Sequence, residues 1–160
     1  MHPIEDNDTP RPSRRDFCVQ ACQAASLVAA TGLWQACGGN STSPSNATTL
    51  QTINTSAVSG ALSLTIDAAS PLAAVGSAAL VQSAAGNVLV SRTAQDAFAA
   101  VTAVCTHEGC TVTGISGSIY VCPCHGSEFS EGGTVVKGPA TLPLRSFTTR
   151  FSGSVLTITL

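Results

Sequence analysis

The chain has 160 residues, 10% of them charged, with a formal net charge of −2. That length suits one domain, and the charge leaves no basic surface, which counts against nucleic acid as a partner. Alanine, serine, threonine, glycine and valine dominate at the expense of the Glu, Lys and Leu a helical bundle needs, so short strands joined by turns are expected.

Residues 1–16 are polar, carry Asp, Glu and Arg, and offer too little apolar surface for a core. They lead into Ser13–Arg14–Arg15–Asp16–Phe17, which resembles a twin-arginine export signal. Phe17 to Ala36 is uncharged and only mildly hydrophobic, diluted by Gln20, Gln23 and Gln35. At ~20 residues it is long enough to span a bilayer. Residues 1–36 are therefore expected to be an export signal that is retained as a membrane anchor or removed. Leu33–Trp34–Gln35–Ala36–Cys37–Gly38–Gly39 also resembles a bacterial lipoprotein cleavage site, with Cys37 as the lipidated residue, although Trp34 stands where a leucine is usual. Residues 37–56 are small and polar with one proline, Pro44. They read as a flexible linker with an end-to-end distance of roughly 25 Å.

From Ala57 the pattern becomes strand-like, and residues 57–160 are expected to form the domain. Ala57–Ile66 alternates, with Val58, Leu62, Leu64 and Ile66 on one face, and Asp67–Pro71 breaks the run. Ala78–Gln82 and Val88–Arg92 flank a hairpin turn at Ala85–Asn87. Thr93–Asp96 turns into Ala97–Val104. Thr111–Ile115 and Ser118–Val121 form a hairpin about Ser116–Gly117. Arg145–Phe151 and Val155–Leu160 close the chain about Ser152–Gly153. About eight strands punctuated by turns predict an all-β fold.

Two loops carry the chemistry. Cys105–Thr106–His107–Glu108–Gly109–Cys110 is answered by Cys122–Pro123–Cys124–His125–Gly126–Ser127, and together they hold four of the seven cysteines and two of the three histidines. Each loop offers a soft thiolate and an imidazole, and the hairpin between them turns the loops face to face. Four such donors suit a tetrahedral zinc, or a [2Fe–2S] cluster with cysteines on one iron and histidines on the other. Spacing alone leaves both open. Cys110 and Cys124 remain over, one per loop, and a zinc site has no use for them.

The two loops, with Gly138–Pro139–Ala140 downstream, resemble the Rieske [2Fe–2S] family over residues 57–160. The resemblance implies an antiparallel multi-sheet sandwich with a small cluster-binding subdomain inserted at about residues 105–143. It implies one [2Fe–2S] cluster, ligated by Cys105 and Cys122 on one iron and by His107 and His125 on the other. It implies a Cys110–Cys124 disulfide, the mark of the exported, respiratory-type branch. Replacing two thiolates by imidazoles removes negative charge and makes reduction easier. A ring nitrogen left free on each histidine can lose and regain a proton with the electron, which suits a quinol donor.

Neighbouring residues tune such a centre. Ser127 matches a family serine that donates to a bridging sulfide. Gly109 and Gly126 stand among the residues around the cluster, and Gly138 and Pro139 match a loop covering the far side, although Thr141 replaces the family's next proline. Phe129 stands where high-potential members carry a tyrosine that donates to a cysteine sulfur, and Phe cannot donate. Glu108 stands beside His107 where quinol-oxidising members are apolar, and a carboxylate there favours the oxidised cluster. Both departures lower the expected potential. No nucleophile–base pair, phosphate loop or paired-carboxylate site emerges. The expectation is a redox subunit, not a stand-alone catalyst, held at the outer face of a bacterial membrane. Its partners are expected to be a cytochrome b-type quinol oxidoreductase with a cytochrome c-like acceptor, or alternatively a periplasmic enzyme of the arsenite oxidase kind. A free-standing carrier is the remaining alternative.

Overall fold

The computed structural model describes residues 46–160. The export-signal motif, the apolar stretch after it, Cys37 and the start of the linker lie outside the described residues. Among those described there is no α-helix, and no helix long and apolar enough to cross a membrane. The all-β expectation holds.

Among the described residues, thirteen strands form two sheets. The larger has eight: β2 (Gln51–Asn54), β5 (Ala78–Ser83), β6 (Gly86–Ala94), β7 (Ala97–Thr102), β12 (Ser146–Ser152), β13 (Val155–Thr159), β4 (Ala61–Thr65) and β3 (Ala57–Val58), in that spatial order. Within it β12 pairs with β7 through Ser146 and Phe147, and then with β13 from Thr148 onward. The sheet curls about that switch and encloses Leu62, Leu64, Val81, Val88, Val90, Phe98, Leu156 and Ile158. The smaller sheet has five strands, in the order β1 (Thr48–Thr49), β8 (Gly114–Ser116), β9 (Ile119–Val121), β10 (Glu128–Ser130), β11 (Val135–Lys137).

A second core lies between the sheets. Leu80, Leu89 and Val101 from β5, β6 and β7 meet Tyr120, Phe129, Cys105 and Cys122 there. Strands β5 to β7 are thus buried on both faces, which is why they read as nearly continuous apolar runs instead of alternating ones. Inside this core the Ser91 and Tyr120 hydroxyls hydrogen-bond to each other, joining β6 to β9. Burial pushes the Tyr120 phenol well above its ordinary range, against a smaller opposite effect of the Ser91 hydrogen bond.

Two sequence expectations are corrected. The linker does not run to residue 56: Thr48–Thr49 pairs with β8, Gln51–Asn54 runs parallel to β5, and Leu50 between them is buried. Small polar residues looked like coil, but an edge strand needs only its backbone donors and acceptors and one apolar anchor. Ala57–Ile66 is not one strand, because Ser59 (φ 52°) and Gly60 (φ 77°) reverse the chain between β3 and β4. Val58 consequently leaves the buried face and is 73% exposed, while Leu62, Leu64 and Ile66 stay inside. Strands β10 and β11, in the stretch after the second loop, were not anticipated, being three residues each.

Candidate metal centre

The two loops are the same turn built twice. In the first, Gly109 N–H donates to the Cys105 carbonyl at 2.9 Å and Cys105 N–H donates to the Cys110 carbonyl at 2.8 Å. In the second, Gly126 N–H donates to the Cys122 carbonyl at 3.0 Å and Cys122 N–H donates to the Ser127 carbonyl at 2.8 Å. Each turn closes through a left-handed glycine, Gly109 at φ 74° and Gly126 at φ 72°, a conformation that costs a residue with a Cβ about 1 kcal/mol or more. The hairpin β8–β9 between them holds the turns side by side.

Each turn buries its first cysteine and exposes its histidine. Cys105 and Cys122 are 2% and 1% exposed and unbridged. His107 and His125 lie at the surface, ring centroids 4.9 Å apart and edge to face. Burial pushes the Cys122 thiol up, and the neighbouring Cys105 adds to that. The Cys122 thiol therefore resists ionising on its own, and a bound metal supplies the charge that lets it. Cys110 and Cys124 form the expected disulfide, with Cα atoms 6.6 Å apart, tying one turn to the other. Both of its sulfurs lie within 4.8 Å of the Cys122 sulfur, but a disulfide offers no thiolate. The donors left are two thiols on the inner side and two imidazoles on the outer side. That asymmetric set fits a [2Fe–2S] group with sulfur ligands on one iron and nitrogen ligands on the other.

The segment after β11 covers the centre. Thr106 Oγ1 donates to the Leu142 carbonyl at 2.6 Å, and Ala140 N–H donates to Ser127 Oγ at 3.0 Å. One hydrogen bond therefore pins this segment to each turn. Its Gly138–Pro139 peptide is cis. Ser127 is fully buried, and accepting from Ala140 leaves its own hydroxyl hydrogen free to donate. Phe129 is fully buried in the same core as Cys105 and Cys122. The nearby Tyr120, its partner across β9–β10, does not replace the missing phenol, since its hydroxyl is turned to Ser91. Glu108 is exposed, with Oε2 3.8 Å from His125 Nε2. Glu128 is half-buried and paired with Lys137 at 3.0 Å. Sequence reasoning assigned no role to Thr106 or to the Ala140 amide. A hydroxyl set between Cys105 and His107 was the available signal for the first, and a backbone N–H leaves none.

Comparison with known proteins decides between zinc and iron–sulfur. Residues 65–148 match the family model of the Rieske [2Fe-2S] domain. The chain belongs to the Rieske family. This Rieske domain binds one [2Fe–2S] cluster, a group that exchanges single electrons. Curated relatives include the cytochrome b6-f complex iron-sulfur subunit of Chlorobaculum thiosulfatiphilum, 41% identical over 63 residues, 39% of this chain and 35% of that one. The subunit of the same name from Synechococcus elongatus is 47% identical over 58 residues, 36% and 32% of the two chains. The match thus spans about a third of those relatives' length. Among solved structures, the cyanobacterial plasma membrane Rieske protein PetC3 from Synechocystis PCC 6803 is 34% identical with a TM-score of 0.47, covering 52% of this chain and 86% of that one. A naphthalene 1,2-dioxygenase shares the fold alone, at 23% identity and a TM-score of 0.51, covering 62% of this chain and 25% of that one.

Proposed function

We propose that this Rieske protein passes single electrons at the outer face of a bacterial membrane, as the iron–sulfur subunit of a quinol–cytochrome c reductase-like complex. Cys105 and Cys122 hold one iron from the core side, and His107 and His125 hold the other from the surface side. The observation that carries the reading is the pair of repeated turns, each with a buried cysteine and an exposed histidine, locked by Cys110–Cys124. The two imidazole edges form the exit to solvent, where a proton is exchanged as an electron passes. Burial of the thiols and of Ser127 keeps water from the inner side and leaves the serine hydroxyl to stabilise negative charge there. Relatives named as cytochrome b6-f complex iron-sulfur subunits support a quinol complex. Residues 1–36 serve as export signal or anchor, with Cys37 as the alternative lipid attachment, and residues 37–47 serve as the tether.

The test is reduction of the full-length protein by a quinol analogue in the presence of a cytochrome b partner, followed by electron paramagnetic resonance. A low-field-shifted [2Fe–2S] signal with turnover is expected, and a signal without turnover sinks the complex. The second reading, an accessory subunit of a periplasmic oxidoreductase or a free-standing carrier, is favoured by the carboxylate of Glu108 at the exit and by Phe129 in place of a donor. The mass of the mature membrane-extracted protein separates lipidation at Cys37 from a retained anchor.

A further inference from the structure

The exit carries the two imidazole edges, the exposed Leu142 and the carboxylate of Glu108. Leu142 is 63% exposed and is held beside the first turn by the Thr106 hydrogen bond to its carbonyl. Glu108 is 61% exposed, and its approach to His125 Nε2, at 3.8 Å, is beyond hydrogen-bond reach. Among the described residues no lysine or arginine pairs with it. Lys137 is paired with Glu128, Arg92 is buried against the carbonyls of Leu72, Ala73 and Gln95, and Arg145 lies over the Phe147 ring. The carboxylate therefore keeps its acceptor sites open to whatever docks on the histidines.

A docked partner must come within electron-transfer distance of those histidines, and so it covers Glu108 too. Covering an ionised carboxylate with an apolar wall leaves a desolvated charge without a partner, a heavy penalty. Covering it with a lysine or arginine restores hydrogen bonds and charge balance. The same residue thus favours one class of partner and rejects the other.

We infer that Glu108 is a specificity-determining residue, which selects a redox protein presenting a lysine or arginine beside its electron-entry edge. This rests on the electron-transfer reading above and names the kind of partner that reading requires. Glu108 acts on docking, and the histidines remain the exit.

The test measures the dissociation constant of the full-length, cluster-loaded protein for a basic c-type cytochrome whose haem edge is ringed by lysines. It is measured by calorimetry at low and at physiological ionic strength. Glu108→Gln should weaken binding about three- to tenfold at low salt and flatten its salt dependence, and Glu108→Lys should weaken it further. Asp96→Asn removes the same net charge from the turn between β6 and β7 and should leave the constant within about twofold. A parallel readout is the ratio of oxidation rates by a cationic cobalt(III) complex and by ferricyanide. A shift in driving force moves both rates the same way, so a fall in that ratio in Glu108→Gln reports local charge. Wild-type protein that does not bind the cytochrome, Glu108→Gln that binds as tightly as wild type, or Asp96→Asn that weakens binding equally would each overturn the inference. If quinol turnover fails while Glu108→Gln still weakens binding, the quinol complex falls and the docking role stands.

Discussion

Single side chains set the properties of the centre. Phe129 fills a fully buried position beside Cys105 and Cys122 and donates no hydrogen bond. Phe129→Tyr adds one donor near a cysteine sulfur, and one neutral hydrogen bond is worth about 0.5–1.5 kcal/mol. For a one-electron couple that is roughly 20–60 mV, so the midpoint potential should rise by that order in redox titration. An unchanged or lower potential would show that the sulfur at this position lies out of the phenol's reach. Ser127 and Glu108 were legible from the sequence because each falls within a short motif of candidate ligands. The partner that fixes Ser127, the Ala140 amide, was not, since a backbone donor carries no residue signature.

At the scale of elements, two cross-links hold the machinery together, one covalent and one polar. Cys110–Cys124 joins the two turns. Cys110→Ala should shorten cluster retention during dilution or mild chelation, read as faster loss of visible absorbance, with the fold intact by circular dichroism. The Ser91–Tyr120 pair joins the sheets through the core. Tyr120→Phe leaves the Ser91 hydroxyl buried without its partner and should cost about 1–3 kcal/mol in denaturant unfolding, part of which Ser91→Ala in the same chain restores. The buried phenol also ties stability to pH. Its folded value is raised, so below the ordinary tyrosine value of about 10 it is neutral in both states and its contribution is present in full. Above that value the unfolded chain releases a proton that the folded chain keeps. Stability therefore falls as pH rises from about 10, by at most ~1.4 kcal/mol per pH unit, and Tyr120→Phe should remove that part of the slope.

Across the whole molecule, the chain enters the domain at the cluster end. Thr48–Thr49 completes the small sheet, Leu50 inserts between the sheets, and Gln51–Asn54 runs on to the large one. Leu50→Ala should lower global stability by about 2–4 kcal/mol. It should also raise hydrogen exchange first at β8, whose edge β1 covers. Exchange that rises evenly over both sheets would argue against this local strap.

The candidate donor residues, the two turns and the all-β class were legible in the sequence itself. Ligand chemistry depends on residue type at short spacing, and Gly109 and Gly126 encode the turn conformation where they stand. Tertiary structure alone decided the rest. Leu50 N–H donates to the Thr113 carbonyl, and Tyr120 reaches Ser91. Such pairings join residues far apart in the chain and leave no local period to read. Val58 shows the converse: its alternation with Leu62 and Leu64 was real, yet one turn at Ser59–Gly60 sent it to solvent. Periodicity reports which faces a strand has, and only the pairing of strands decides which face is covered.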